Sequence, residues 1–214
     1  MSASAANAQV AANVTLASND VYRGRSLSAD DPALTVAVGL DDQSGFYAGG
    51  SVTLAAGEMD FRASSSAQYA GYAWRTGRTS FEVGAIHRHH SDSLDQEYSK
   101  DYFEGYFGVS HGKTSMRLYL SPDYIPGDRV SAYVSLDTEL ARIDDWSLAG
   151  HAGLALKPTR DEASRSYHAE VDWSLSAGRA FGEYNMSVGI SDSSDSDPKP
   201  FDGPLLFVKA SRAF

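Results

Sequence analysis

Residues 33–54 read ALTVAVGLDDQSGFYAGGSVTL, and this stretch decides the fold. Leu34, Val36, Val38 and Leu40 alternate with Ala33, Thr35, Ala37 and Gly39. After the polar break DDQS, Phe46, Ala48, Gly50, Val52 and Leu54 alternate with Tyr47, Gly49, Ser51 and Thr53. A helix would repeat near 3.6 residues. A period of two on both sides of a short polar break describes two strands of a hairpin with one apolar face.

The same period recurs along the chain. Phe81, Val83 and Ala85 share one face; Phe103, Gly105, Phe107 and Val109 another; Met116, Leu118 and Leu120 a third. Further sets are Val130, Ala132, Val134 and Leu136; Leu148, Gly150, Ala152 and Leu154; Tyr167, Ala169, Val171, Trp173 and Leu175; and Tyr184, Met186, Val188 and Ile190. With VAANVTLAS, AQYAGYAW and the closing LLFVKASRAF, the count is about twelve strands. Each has one face in apolar surroundings. A two-sheet sandwich and a closed sheet in lipid both satisfy that pattern.

Connector lengths separate the two. DDQS, RTGRT and HGKT are short, with DTELARIDD the longest of the short set. Between them lie the polar opening stretch, AAGEMDFRASSS, HRHHSDSLDQEYSKD, SPDYIPGDR, KPTRDEASRS and SDSSDSDPKPFDGP. Alternating brief turns and long loops belong to an up-and-down transmembrane β-barrel with short periplasmic turns and long external loops. A Greek-key sandwich gives no such rhythm. Phe46, Phe81, Phe103, Trp146, Tyr167, Trp173 and Tyr184 end the apolar faces, as rings at a lipid–water interface do. The last residue, Phe214, closes a strand with Leu206, Val208 and Ala210 on one face; Arg212 shares it and can snorkel. The mean hydropathy of −0.33 fits a barrel that shows lipid one face only.

Composition narrows the function. Eighteen basic and 28 acidic residues leave a net charge of −10, which argues against nucleic acid. There is no cysteine, hence no disulfide or thiolate metal site. Residues 1–8, with Ala6-Asn7-Ala8 before Gln9, are read as the remnant of a signal or cleavage region or an added tail. Residues 9–214 form a single barrel domain on this reading, with both ends periplasmic.

If the apolar set faces lipid, the opposite set lines a lumen. It comprises Glu82, Glu104, Arg117, Tyr119, Tyr133, His151, His168, Glu170, Asp172, Asn185 and Lys209. Glu104 and Arg117 lie on consecutive strands and are expected to pair. Opposed charges could build a selectivity constriction, or a salt-bridge ladder could fill the barrel. His87 and His89 share a strand face near His90, Asp92 and Asp95 and are the weak metal candidates; adventitious binding on a loop flank is the plainer reading. His151 and His168 lie among serines without a nucleophile elbow, so no catalytic residues are assigned and the chain is read as no enzyme. The Glu170–Asp172 pair is read as acidic lining rather than glycosidase chemistry. SDSSDSDPKPFDG lacks the ordered ligands and closing Glu of a Ca²⁺ loop. No cofactor is expected. Acidic long loops would make the mouth favour cations.

The charged run NDVYRGRSLSADDPAL is read as the end of strand one plus the first external loop. Tyr22 is placed at the outer interface, Arg23 at the rim pairing with Asp30 or Asp31, and Arg25 beside it; Pro32 marks re-entry into strand two.

ASNDVYRGRSLS (17–28), DPA (31–33), SGFYAG (44–49) and SPDY (121–124), in this order, resemble the TorF-type porin family, a conserved-hypothetical family of Gram-negative outer-membrane proteins. The resemblance spans nearly the whole chain. Asp20 and Arg25 depart from the family, which usually has an aromatic and an apolar residue there. What the resemblance implies is a barrel in the outer membrane, exported by a signal peptide absent from this chain, and passive diffusion. The expected partners are the bilayer, its outer-leaflet lipid and small polar solutes, with the protein a monomer. The alternatives are a non-conducting structural or adhesion barrel with acidic partner-binding loops, and an outer-membrane hydrolase.

Overall fold

The computed structural model describes residues 9–57, 60–91, 101–124, 129–159, 166–194 and 203–214. Twelve antiparallel strands close into one barrel. They are β1 (Gln9–Ala17), β4 (Ala33–Asp41), β5 (Phe46–Ala56), β6 (Phe61–Thr76), β7 (Thr79–His90) and β8 (Asp101–His111). The circuit continues through β9 (Thr114–Ser121), β10 (Ser131–Ile143), β11 (Trp146–Pro158), β12 (Tyr167–Phe181), β13 (Tyr184–Ser193) and β14 (Leu205–Ala213). Two short strands, β2 (Val21–Tyr22) and β3 (Arg25–Ser26), pair only with each other.

Every barrel strand neighbours the next in sequence, and β1 closes the ring by pairing both β4 and β14. Closure leaves no sheet edge, so backbone donors and acceptors are satisfied within the wall, as lipid requires. The hairpin read from residues 33–54 is β4–β5, with Leu34 opposite Leu54 and Val38 opposite Gly50. Its turn is held by Asp42, which accepts from the Ser44 amide at 2.6 Å, and by the Gly45 amide donating to the Asp42 carbonyl at 2.9 Å. Hydrogen bonds from the Ser44 backbone and side chain hold the Asp42 carboxyl below its usual pKa.

The alternation sorts the two faces. Leu118, Leu120, Leu136, Leu154, Val171 and Val188 expose 37–51% of their surface on the outside. In water that belt would cost about 25 cal/mol per Å², so the wall belongs in lipid. Phe46, Tyr72, Trp74, Phe81 and Phe107 touch ring to ring in a girdle that begins at the short-turn end. Phe61, Phe103 and Tyr167 stand exposed at the long-loop end. Both described chain ends lie with the short turns.

Three segments depart from the sequence reading. AAGEMDFRASSS is mostly strand: β5 runs to Ala56 and β6 starts at Phe61, with a bulge where Thr53 and Leu54 meet it. The HRHH segment completes β7 and is not loop. DTELARIDD is the end of β10, where a bulge between Glu139 and Ala141 re-aims the strand before a turn at residues 144–145. Bulges insert one residue and break the period locally, which made the first and third of these stretches look irregular. Residues 1–8, Asp92, Asp95 and most of the 191–204 acidic run lie outside the described residues.

Candidate functional site: a charged lumen crossed by a hairpin

Inward-facing residues divide the wall. Strands β7 to β12 carry Glu82, Arg88, Glu104, Arg117, Tyr119, Tyr133, Asp137, His151 and Asp172. Strands β13, β14, β1, β4 and β5 present mainly Ser, Thr, Asn, Ala and Gly there, with Tyr47 on β5 and Phe207 and Lys209 on β14 as exceptions.

Tyrosines lie flat against the charged half because glycines leave room. A Cβ on Gly71 would sit 2.5 Å from the Tyr47 hydroxyl, and one on Gly84 would collide with the Tyr106 hydroxyl. The freed rings form a hydrogen-bonded group: Tyr47 donates to Glu82 at 2.9 Å and meets the Tyr106 hydroxyl at 2.7 Å. Arg117 closes it, its Nε donating to Glu82 at 2.5 Å.

Across the long-loop end runs the segment from residue 18 to 32. It folds inward. Val21 pairs Ser26 and Tyr22 pairs Arg25 around a two-residue turn, Arg23 (φ 47°) and Gly24 (φ 76°). Positive φ at both central positions is the type I′ geometry that matches strand twist. An arginine there costs about 1–2 kcal/mol. Its side chain repays that: Nη2 donates to Glu104 at 2.6 Å, and the guanidinium lies 3.9 Å over the Tyr133 ring. Gly24 packs so close to β13 that a Cβ would come within 2.6 Å of the Asp192 carbonyl. The hairpin base is tied by its own polar groups. Asn19 donates to Asp30 at 2.6 Å, Ser26 to Asn19 at 2.7 Å, and the Leu27 amide to the Asp20 carbonyl at 2.7 Å.

The rim assignment is therefore corrected. Arg23 pairs with neither Asp30 nor Asp31. It crosses to Glu104, while Asp30 accepts from Asn19, and Asp31 from Arg62 at 3.2 Å. Tyr22 is not at the lipid interface; its hydroxyl meets that of Tyr102 at 3.1 Å and its ring packs on His90. Burial pushes the Tyr22 and Tyr124 phenols up, so both are neutral. Arg25 lines a narrow cleft with Tyr124, Lys157 and Glu170.

The expected Glu104–Arg117 pair does not form either. Glu104, 2% exposed, is held by Arg23 and by Arg88 at 3.2 Å, and Arg117 belongs to Glu82. Arg88 and Arg23 were the missed members, since IHRHH looked like loop and Arg23 like rim. His151 bridges Asp137 at 2.7 Å and Asp172 at 2.9 Å, with Tyr133 donating to Asp172 at 3.2 Å. Glu170 is shared by Lys157 and by His168 at 3.0 Å. Tyr119 packs at a tilt between Tyr106 and Tyr133. Asn185 sits far down β13, opposite Ala180 and Ser211.

His87 and His89 point outward from the barrel, His87 against Phe103 and His89 to Asp101 at 2.8 Å. Among the described residues no cluster of three metal-ligating side chains occurs.

Beneath the hairpin lies a cavity of about 300 Å³, bounded by Val21–Gly24 above and by β7 and β9–β14 around. The cavity and the apolar outer belt together define the class: a transmembrane β-barrel with a polar lumen narrowed by its first long loop.

The chain belongs to a bacterial protein family of unknown function, Gcw_chp, whose profile matches residues 2–203. No curated protein matches the sequence. Among solved structures it is similar in fold to the KdgM porin, in complex with disordered oligogalacturonate (TM-score 0.58, 10% identity, 95% of this chain and 99% of that one). An outer-membrane channel from Pseudomonas putida F1 is also similar (TM-score 0.55, 11% identity, 96% and 95% covered). At such identities the likeness is one of fold.

Proposed function

We propose that the protein is an outer-membrane channel of the TorF porin type, a monomer with periplasmic short turns, through which small polar solutes diffuse passively. The observation that carries this reading is the polar cavity enclosed by a barrel whose outside is apolar. The fold shared with the KdgM porin supports it. Glu82, Glu104, Arg117, Tyr119, Tyr133, His151, His168, Glu170, Asp172 and Lys209 form the lumen lining on this reading, and Arg23 sets the constriction. The acids that the sequence places in the long loops make the mouth favour cations on this reading. The contacts of the hairpin across the lumen favour a second reading, a barrel closed by its own loop.

Liposome swelling with sugars of increasing size tests the first reading. Swelling with monosaccharides that falls off with size is expected; no swelling from a folded, heat-modifiable barrel supports the closed reading. A KCl gradient across a bilayer is expected to give a cation-selective reversal potential, and an anion-selective one contradicts the charge assignment.

The glycine–tyrosine packing yields a further expectation. Gly84→Val drives the Tyr106 ring off the wall and into the lumen. Single-channel conductance is expected to fall in a barrel that still folds. Unchanged conductance would mean that the ring does not border the path.

A further inference from the structure

Every charged side chain around the cavity but one has an ion-pair partner among the described residues. Arg23 and Arg88 share Glu104, Arg117 has Glu82, and Asp137 and Asp172 share His151. Lys209 has no ion pair or hydrogen bond to its ammonium among the described residues. Its Nζ lies 4.7 Å from the centre of the Phe207 ring. Phe207 in turn occupies the space that a Cβ on Gly189 would fill. The closest counter-charge is Asp20, which feels Lys209 from beyond ion-pair range; burial raises the Asp20 pKa against the opposing pull of Ser65 and Lys209, weakening it as a partner. Two hydroxyls in the same lining, those of Ser135 and Ser174, also have no side-chain partner among the described residues.

We propose that this cavity is a binding site for a small hydroxylated monocarboxylate, with the carboxylate on Lys209 Nζ and hydroxyl groups on Ser174 and Ser135. The inference rests on the channel reading, in which the cavity lies on the solute path. The one cation without an ion pair among the described residues calls for one negative charge. Asp137 and Asp172, on the other side of the cavity, repel a second carboxylate and accept from ligand hydroxyls. The Phe207 ring offers a flat apolar face beside the ammonium. A cation-favouring mouth is compatible with the site, because inorganic cations carry current while the carboxylate is held within.

The test is titration calorimetry on the detergent-refolded barrel with sodium gluconate, and with sorbitol as the uncharged polyol of the same length. Binding in detergent does not require conduction, so failure here is distinct from a silent bilayer. Gluconate is expected to bind saturably to the wild type. Lys209→Gln is expected to weaken it about tenfold or more, as loss of one charge-assisted hydrogen bond does. Sorbitol, bound more weakly, should be insensitive to the substitution, and Lys113→Gln at the short-turn end should match wild type. In bilayers Lys209→Gln is expected to shift the reversal potential further toward cations. Equal gluconate affinity in wild type and Lys209→Gln overturns the proposal. So does absence of gluconate heat from a folded barrel, or a parallel loss of sorbitol binding, which would mark Lys209 as merely structural.

Discussion

Replacing Arg23 by alanine is expected to raise single-channel conductance severalfold while leaving the barrel folded. At the hairpin tip Arg23 supplies the strongest contacts with the far wall: the Glu104 ion pair at 2.6 Å and the guanidinium over Tyr133. Both partners are nearly shielded from water, at 11% and 2% exposure. Breaking a buried pair costs about 3–5 kcal/mol, and the lower end applies because Arg88 continues to hold Glu104. That loss falls on the hairpin and not on the wall, whose strand pairing is independent of it. Removing the pair also takes away the contacts that hold Arg23 in its left-handed backbone (φ 47°), so the tip of the hairpin is freed while Tyr22 still meets Tyr102. Gly24→Val approaches the same state from the opposite side, since its Cβ would meet the β13 backbone. Arg23→Lys keeps the charge without the planar fork and is expected to fall between. Wild-type conductance in a folded Arg23→Ala barrel would show that the hairpin does not bound the path.

The second large effect concerns the outer face. Arg117 is accepted because it points inward to Glu82. One residue on, Leu118 faces outward and is 37% exposed, opposite Phe107 and Val134 on its neighbouring strands. Leu118→Arg moves the same charge by one position into lipid, at a cost of about 2–4 kcal/mol near the bilayer midplane. Equilibrium unfolding in urea from lipid vesicles is expected to show that loss. The inward substitution Ser115→Arg, on the Arg117 face, is expected to cost far less. Equal losses at both positions would contradict the assignment of faces.

The wall was legible because burial in a one-sided sheet imposes a period of two, and substitutions that break it are selected against by lipid. Residues such as Leu34, Val36 and Val38 therefore announced their face without any partner being known. Strand ends were less legible. Ala63 to Ser65 and Glu139 to Ala141 carry bulges, and a bulge erases the period where it sits. The lumen charges were placed on the correct wall face by the same period, but their partners were not. Glu104 was matched to Arg117 on the following strand, and a strand pattern does not say which of two neighbouring strands, or which loop, supplies the partner. Its real partners are Arg88 on β7 and Arg23, the latter 81 residues away in sequence.

The hairpin was missed for a related reason. A polar, proline-bearing run between two strands reads as loop, and nothing local says whether a loop folds outward or inward. Two signals were present. VYRGRS places an Arg-Gly pair between β-formers, which is turn chemistry for a tight hairpin. Asn19, Ser26, Ser28 and Asp30 could also satisfy one another, as a segment leaving bulk water must.

Planar-bilayer recording of refolded wild-type protein is the most direct test of the central claim, that a polar lumen narrowed by the Arg23 hairpin conducts across a membrane. Discrete, ohmic single-channel steps, larger in Arg23→Ala than in wild type, are the predicted result. A silent bilayer from protein that is folded and heat-modifiable, in wild type and in Arg23→Ala alike, would contradict it.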